Sequence, residues 1–84
     1  MSKFKIKYTP NWEEVLERNS LIDACFSALK EVCEMIEFNS EYNNWEVRST
    51  YDGALLESYG SMWEKEEVYL DRMKRYDIKI EEVK

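Results

Sequence analysis

Apolar residues recur at intervals of three and four from Leu21 to Phe38, and this run constrains the fold more than any other feature. Ile22, Cys25, Phe26, Leu29, Val32, Cys33 and Ile36 make one stripe, which Leu21, Ala28 and Met35 widen. Asp23, Lys30, Glu34 and Glu37 mark the narrower polar side. So broad an apolar arc predicts a central helix over 21–38 that more than one other element must cover. Asn19-Ser20 precedes it, and Ser20 with Asp23 reads as its N-cap.

The cover has to come from the flanking segments. Lys3-Phe4-Lys5-Ile6-Lys7-Tyr8 alternates strictly, so the sequence predicts a strand over 3–8 with Phe4, Ile6 and Tyr8 on one face. Thr9-Pro10-Asn11 stops it. Pro10 suits a first helical position, and Asn11 with Glu14 reads as a capping pair. A short helix is therefore expected, with Trp12, Val15 and Leu16 as its apolar side.

Beyond the central helix, Asn39-Ser40 and Asn43-Asn44 punctuate a loop, and residues 45–51 alternate as a strand. Asp52-Gly53 is a two-residue hairpin signal that makes 54–59 the return arm. A helix beginning near Asp52 and tolerating Gly60 is the alternative. Ser61 and Glu64 form a capping box for a helix to about Tyr76. Ile78-Lys79-Ile80-Glu81 then alternates as a last strand. The heptad spacing of Met62, Tyr69, Met73, Tyr76, Ile80 and Val83 also permits a helix to the end.

The order read from these segments is β-α-(α)-β-β-α-β. It implies an α+β fold, a small single-sheet domain with helices packed on one face, in the arrangement of a ferredoxin-like sandwich. A mostly α chain with a short N-terminal strand or hairpin is the other reading. Residues 1–84 are expected to form one domain, because two would each be too small to bury a core. No internal repeat, linker or low-complexity segment is visible.

Much catalytic chemistry is missing. The chain has no histidine, which removes the commonest general base and metal ligand. Cys25 and Cys33 without histidine fall short of a structural zinc site. Gly53 and Gly60 stand alone, so there is no phosphate-cradling loop. Carboxylate pairs could act as acid and base, but so small a domain has little room for a substrate-burying cleft. The expectation is a non-enzyme without metal or cofactor.

On one helix, Cys25 and Cys33 would stand roughly 12 Å apart along the axis. A disulfide needs Cα atoms within about 7 Å, so the two thiols read as unpaired core residues of a reducing compartment. No signal-peptide core, membrane-length apolar run or glycosylation sequon occurs. The cytoplasm, or a host's cytoplasm for a viral protein, is the expected location, with no membrane partner.

Eighteen acids against twelve bases give a net charge of −6, which disfavours direct nucleic-acid binding. The acids fall in groups: Glu13, Glu14 and Glu17; Glu31, Glu34, Glu37 and Glu41; Glu64, Glu66, Glu67 and Asp71; Glu81 and Glu82. On a helix, neighbours three or four apart lie about 5–6 Å from each other, so a row of them could imitate a phosphate backbone. A solvated polar face is the commoner explanation. Basic groups run the other way, with Lys3, Lys5 and Lys7 on one strand face and Arg72, Lys74 and Arg75 at a helix end.

Trp and Tyr are over-represented at interface centres. Trp12 and Trp63 each open an expected helix with carboxylates directly after, whereas Trp45 reads as core. The expected partner-binding residues are thus Trp12, Glu13, Glu14 and Glu17, with Trp63, Glu64, Glu67 and Asp71. They point to a small acidic inhibitor of phage, mobile-element, immunity or antitoxin type that blocks a basic, nucleic-acid-binding surface on a nuclease, toxin or defence complex. Self-association through the Met62, Tyr69, Met73 and Tyr76 face, giving a homodimer, is the alternative. RNA binding through the lysine strand is third.

Overall fold

The computed structural model describes residues 1–83. It contains β1 (Ser2–Thr9), β2 (Trp12–Arg18), α1 (Leu21–Glu31), β3 (Glu34–Asn39), β4 (Asn44–Ser49), β5 (Leu55–Tyr59), α2 (Lys65–Arg75) and β6 (Lys79–Val83). The fold is α+β, but the single expected sheet is two. Both are antiparallel and three-stranded, ordered β2-β1-β6 and β3-β4-β5. This order is not the β-α-(α)-β-β-α-β expected, and it gives no ferredoxin-like sheet. Nor is the chain mostly α.

Two corrections account for the difference. Residues 12–18 form a strand rather than a short helix, and Pro10-Asn11 makes a turn that returns the chain from Thr9 to Trp12. The Asn11 N–H donates to Thr9 Oγ1 at 3.2 Å inside this turn. As a strand, β2 sets Glu13 opposite Lys7 and Glu17 opposite Lys3, and cross-strand pairs of opposite charge are favourable. A helix would instead have stacked Glu13, Glu14 and Glu17 against one another without those lysines.

The second correction ends the central helix at Glu31 rather than Phe38. The start is as read, since Ser20 Oγ accepts from the Asp23 N–H at 3.2 Å. Val32 caps the other end, and Cys33 takes a left-handed φ of 60° that terminates the helix. Beyond it the buried positions are Glu34 and Ile36, two apart, as a strand requires. Cys33 is therefore an exposed turn residue, not a core residue of the helix, while Cys25 is buried; both thiols are free.

Elsewhere the expected elements occur with shifted bounds. β1 and β6 stand where alternation placed strands, and β6 excludes a helix running to the end. The β4–β5 hairpin forms, although its loop spans residues 50–54 rather than two residues. Ser49 and Ala54 close it, and Gly53 adopts a φ of 75° that glycine takes without strain. Helix α2 begins at Lys65 with Glu64 as N-cap and no side-chain capping bond, so the Ser61–Glu64 capping box is not made.

One core cluster draws on both sheets and both helices. Ile6 and Tyr8 of β1 meet Cys25, Ala28 and Leu29 of α1, Ile36 and Val47 of β3 and β4, and Tyr69 and Met73 of α2. The helices pack directly on each other. Lys3, Lys5 and Lys7 face away from this core, so the first sheet keeps an open, charged side.

Candidate partner-binding surface

The eight expected binding residues fall on two separate elements. On β2, alternation divides the first group. Glu13 and Glu17 lie on the open face with the lysines, and Glu14 lies on the other face. Lys5 Nζ is 3.7 Å from Glu13, and Lys3 Nζ is 3.9 Å from Glu17. The acidic group and the lysine strand, separate in sequence, thus partly cancel in space. Glu14 accepts from Tyr8 Oη at 2.5 Å, and burial together with this carboxylate raises the Tyr8 phenol above its ordinary value. Trp12 stacks on Tyr8 with ring centroids 4.3 Å apart. It keeps 45% of its surface exposed, but no free carboxylate row stands beside it.

The same pairing weakens the RNA reading. Phe4 and Tyr8 point into the core as expected, so the open face offers lysines answered by acids and no aromatic platform.

The second group is more coherent. Trp63 stands immediately before α2, 43% exposed. Its ring meets Tyr59 edge-on at 5.4 Å, and Tyr59 Oη donates to Asp71 Oδ2 at 2.5 Å. Trp63, Glu67, Leu70, Asp71 and Lys74 line one shallow depression of about 270 Å³. Glu67 and Asp71 are one turn apart on the same helix face. Asp71 also lies 3.5 Å from Arg75, so its charge is partly committed, whereas Glu64 and Glu67 are exposed and make no ion pair among the described residues. Glu64 caps the helix outside the depression.

Leu70, which the sequence reading did not single out, lines two depressions. The second, about 500 Å³, runs from Leu70 and Met73 to Ile78 and Ile80. The spacing of seven between Trp63 and Leu70 was the available signal. Of the face expected for self-association, Tyr69 and Met73 are buried within the chain, whereas Met62 and Tyr76 are exposed.

A third cluster, unexpected from sequence, joins β3, β5 and α2. Glu34 is 1% exposed and receives two hydrogen bonds from Arg72, with a third from Tyr76 Oη. Arg72 also binds Glu57, which Arg75 approaches at 2.9 Å. The Glu34 hydrogen bond raises Arg72 and, more than burial does, Tyr76. Both carboxylates are held by guanidinium groups.

Burial pushes the Cys25 thiol up to about 12, so it is a poor nucleophile. Among the described residues, no group of three or more Cys, Asp or Glu side chains is placed to hold a metal. Among them, no helix is long and apolar enough to cross a membrane. Comparison with protein-family models, with curated proteins and with solved structures finds no match.

Proposed function

We propose that the chain is a non-catalytic protein-binding domain of inhibitor type, which seats the outer face of α2 on a basic, nucleic-acid-binding surface of a partner. The observation that carries this reading is Trp63: half-exposed, fixed by Tyr59, and set beside Glu67 and Asp71 in one depression. A rigid aromatic with neighbouring carboxylates supplies both an anchor and a steering charge. The partner class is a nuclease, toxin or defence complex, whose basic groove would meet Glu64, Glu67 and Asp71. The β2 group of Trp12, Glu13, Glu14 and Glu17 has a lesser part, because lysines already answer two of its acids.

The test is affinity capture from the source cell by the tagged full chain, at low and high salt, with Trp63→Ala and Glu67→Lys beside a Glu13→Lys/Glu17→Lys control. The expected result is a basic protein lost at high salt and with either Trp63→Ala or Glu67→Lys, kept by the control, and displaced by duplex nucleic acid. Capture that survives both Trp63→Ala and Glu67→Lys would remove this surface from consideration.

A further inference from the structure

The element order reads β-β-α-β twice, as β1-β2-α1-β3 and then β4-β5-α2-β6. Each sheet joins the hairpin of one half to the last strand of the other. β2-β1 takes β6, and β5-β4 takes β3. Exchanging the halves therefore maps one sheet onto the other.

The helices repeat in detail, 44 positions apart. Ser20 and Glu64 are the N-caps, and their carbonyls accept from Ala24 and Val68. Val32 and Tyr76 are the C-caps, and Cys33 and Asp77 follow in left-handed conformation at 60° and 57°. Cys33 N–H donates to Lys30 O, and Asp77 N–H donates to Lys74 O, each at 3.1 Å. The buried positions of α1 are Ala24, Cys25, Ala28 and Leu29; those of α2 are Val68, Tyr69, Arg72 and Met73, the same four places. In the strands that follow, Ile36 pairs with Val47 and Ile80 with Ile6.

We infer that this chain is a fused dimer of a ββαβ unit, in which each half is the binding partner of the other and the two have diverged so that neither fits a second copy of itself. The divergence is visible at one pair of places. Arg72 of the second half holds Glu34 of the first. Their equivalents are Ala28 and Ile78, both buried and apolar. A pair of first halves would set Glu34 against Ala28 twice, and a pair of second halves would set Arg72 against Ile78 twice. The first leaves Glu34 buried without a partner, which disfavours it on the order of a hundredfold or more per charge, and the second leaves Arg72 with only Glu57 of its own half to answer it. Only the mixed pair satisfies all four positions.

The test keeps the whole chain. A protease site placed in the loop 40–43 of the folded protein, once cut, should leave the two pieces joined. After unfolding and dilution, native mass spectrometry should show them rejoining as mixed pairs only. Glu34→Ile with Arg72→Ala removes the discrimination, so pairs of first halves should then appear. The equivalence also makes the junction of β6 and β1, where Val83 lies opposite Lys3, a counterpart of the β3–β4 hairpin. A circular permutant closed there and opened between Glu41 and Tyr42 should keep the parent's circular dichroism and a single cooperative melt. Cut pieces that do not rejoin, or that pair with themselves as readily as with each other, overturn the inference. So does a double variant that still gives mixed pairs alone, or an unfolded permutant when the cut chain stays folded.

Discussion

Arg72 holds Glu34 with two nitrogens, Nε to Oε1 and Nη2 to Oε2, each at 3.0 Å, and both side chains are almost fully buried. The contact spans 38 positions and ties β3 to α2. Removing one partner strands a buried charge, which costs about 3–5 kcal/mol, whereas replacing both with apolar groups is often neutral. Arg72→Ala should lower stability by that amount in urea unfolding, and Glu34→Ala by less, because Glu57 still answers Arg72. Glu34→Ile/Arg72→Ala should fall within about 2 kcal/mol of the parent. A double variant as unstable as the two singles combined would mean that the pair is not the coupled unit described.

Cys33 and Asp77 both end a helix in the left-handed region, where glycine carries no Cβ penalty. Neither position needs its side chain for the core, since both are exposed. Cys33→Gly should stabilise the protein by about 0.5–1 kcal/mol. Asp77→Gly should gain less, because Asp tolerates this conformation better than Cys does. Thermal melts of the two variants against the parent decide it, and a Cys33→Gly protein that melts lower contradicts the strain argument.

The open face of the first sheet makes a contrasting case. Lys3–Glu17 and Lys5–Glu13 are solvent-exposed pairs at 3.9 and 3.7 Å, a class worth about 0–1 kcal/mol. Glu17→Lys should therefore cost less than about 1 kcal/mol, and that cost should shrink at 1 M salt. A larger, salt-insensitive loss would show that Glu17 packs rather than pairs.

These cases show which features local pattern could reveal. β1 and β6 were legible because each has a period of two over its own residues, and the β4–β5 hairpin because Asp52-Gly53 needs no distant partner. β2 was not, since Trp12, Val15 and Leu16 fit the i, i+3, i+4 spacing of a helix as well as a strand fits them. What decided its state was Lys3, Lys5 and Lys7 lying opposite, a tertiary fact. Ile36 sits on both the helical stripe and the strand face, so periodicity could not place the break at Cys33. That Glu67 and Asp71 share a face was legible because α2 is a helix there. The Glu34–Arg72 pair was not, because a polar residue on an expected polar side gives no sign that it will be buried. The repeat was hidden for a similar reason, as the halves share caps and burial positions but few residue types.

Alkaline pH should destabilise the chain with two onsets. Burial raises the Cys25 thiol from an ordinary 9.0 to about 12, and Tyr69 from 10.0 to about 12. Tyr8, Tyr59 and Tyr76 are also raised. A group protonated in the folded state at a pH where the unfolded chain has lost its proton favours unfolding as pH rises. The stability from Cys25 is thus fully present below pH 9 and declines between 9 and about 12, at about 1.4 kcal/mol per pH unit. From pH 10 the tyrosines steepen the decline. Urea midpoints taken from pH 7 to 11 should be flat to 9 and then fall. Cys25→Ala, whatever its stability at pH 7, should hold its plateau to about pH 10, where the tyrosines begin. An unchanged onset in that variant would show that the buried thiol is not the first group to titrate on unfolding.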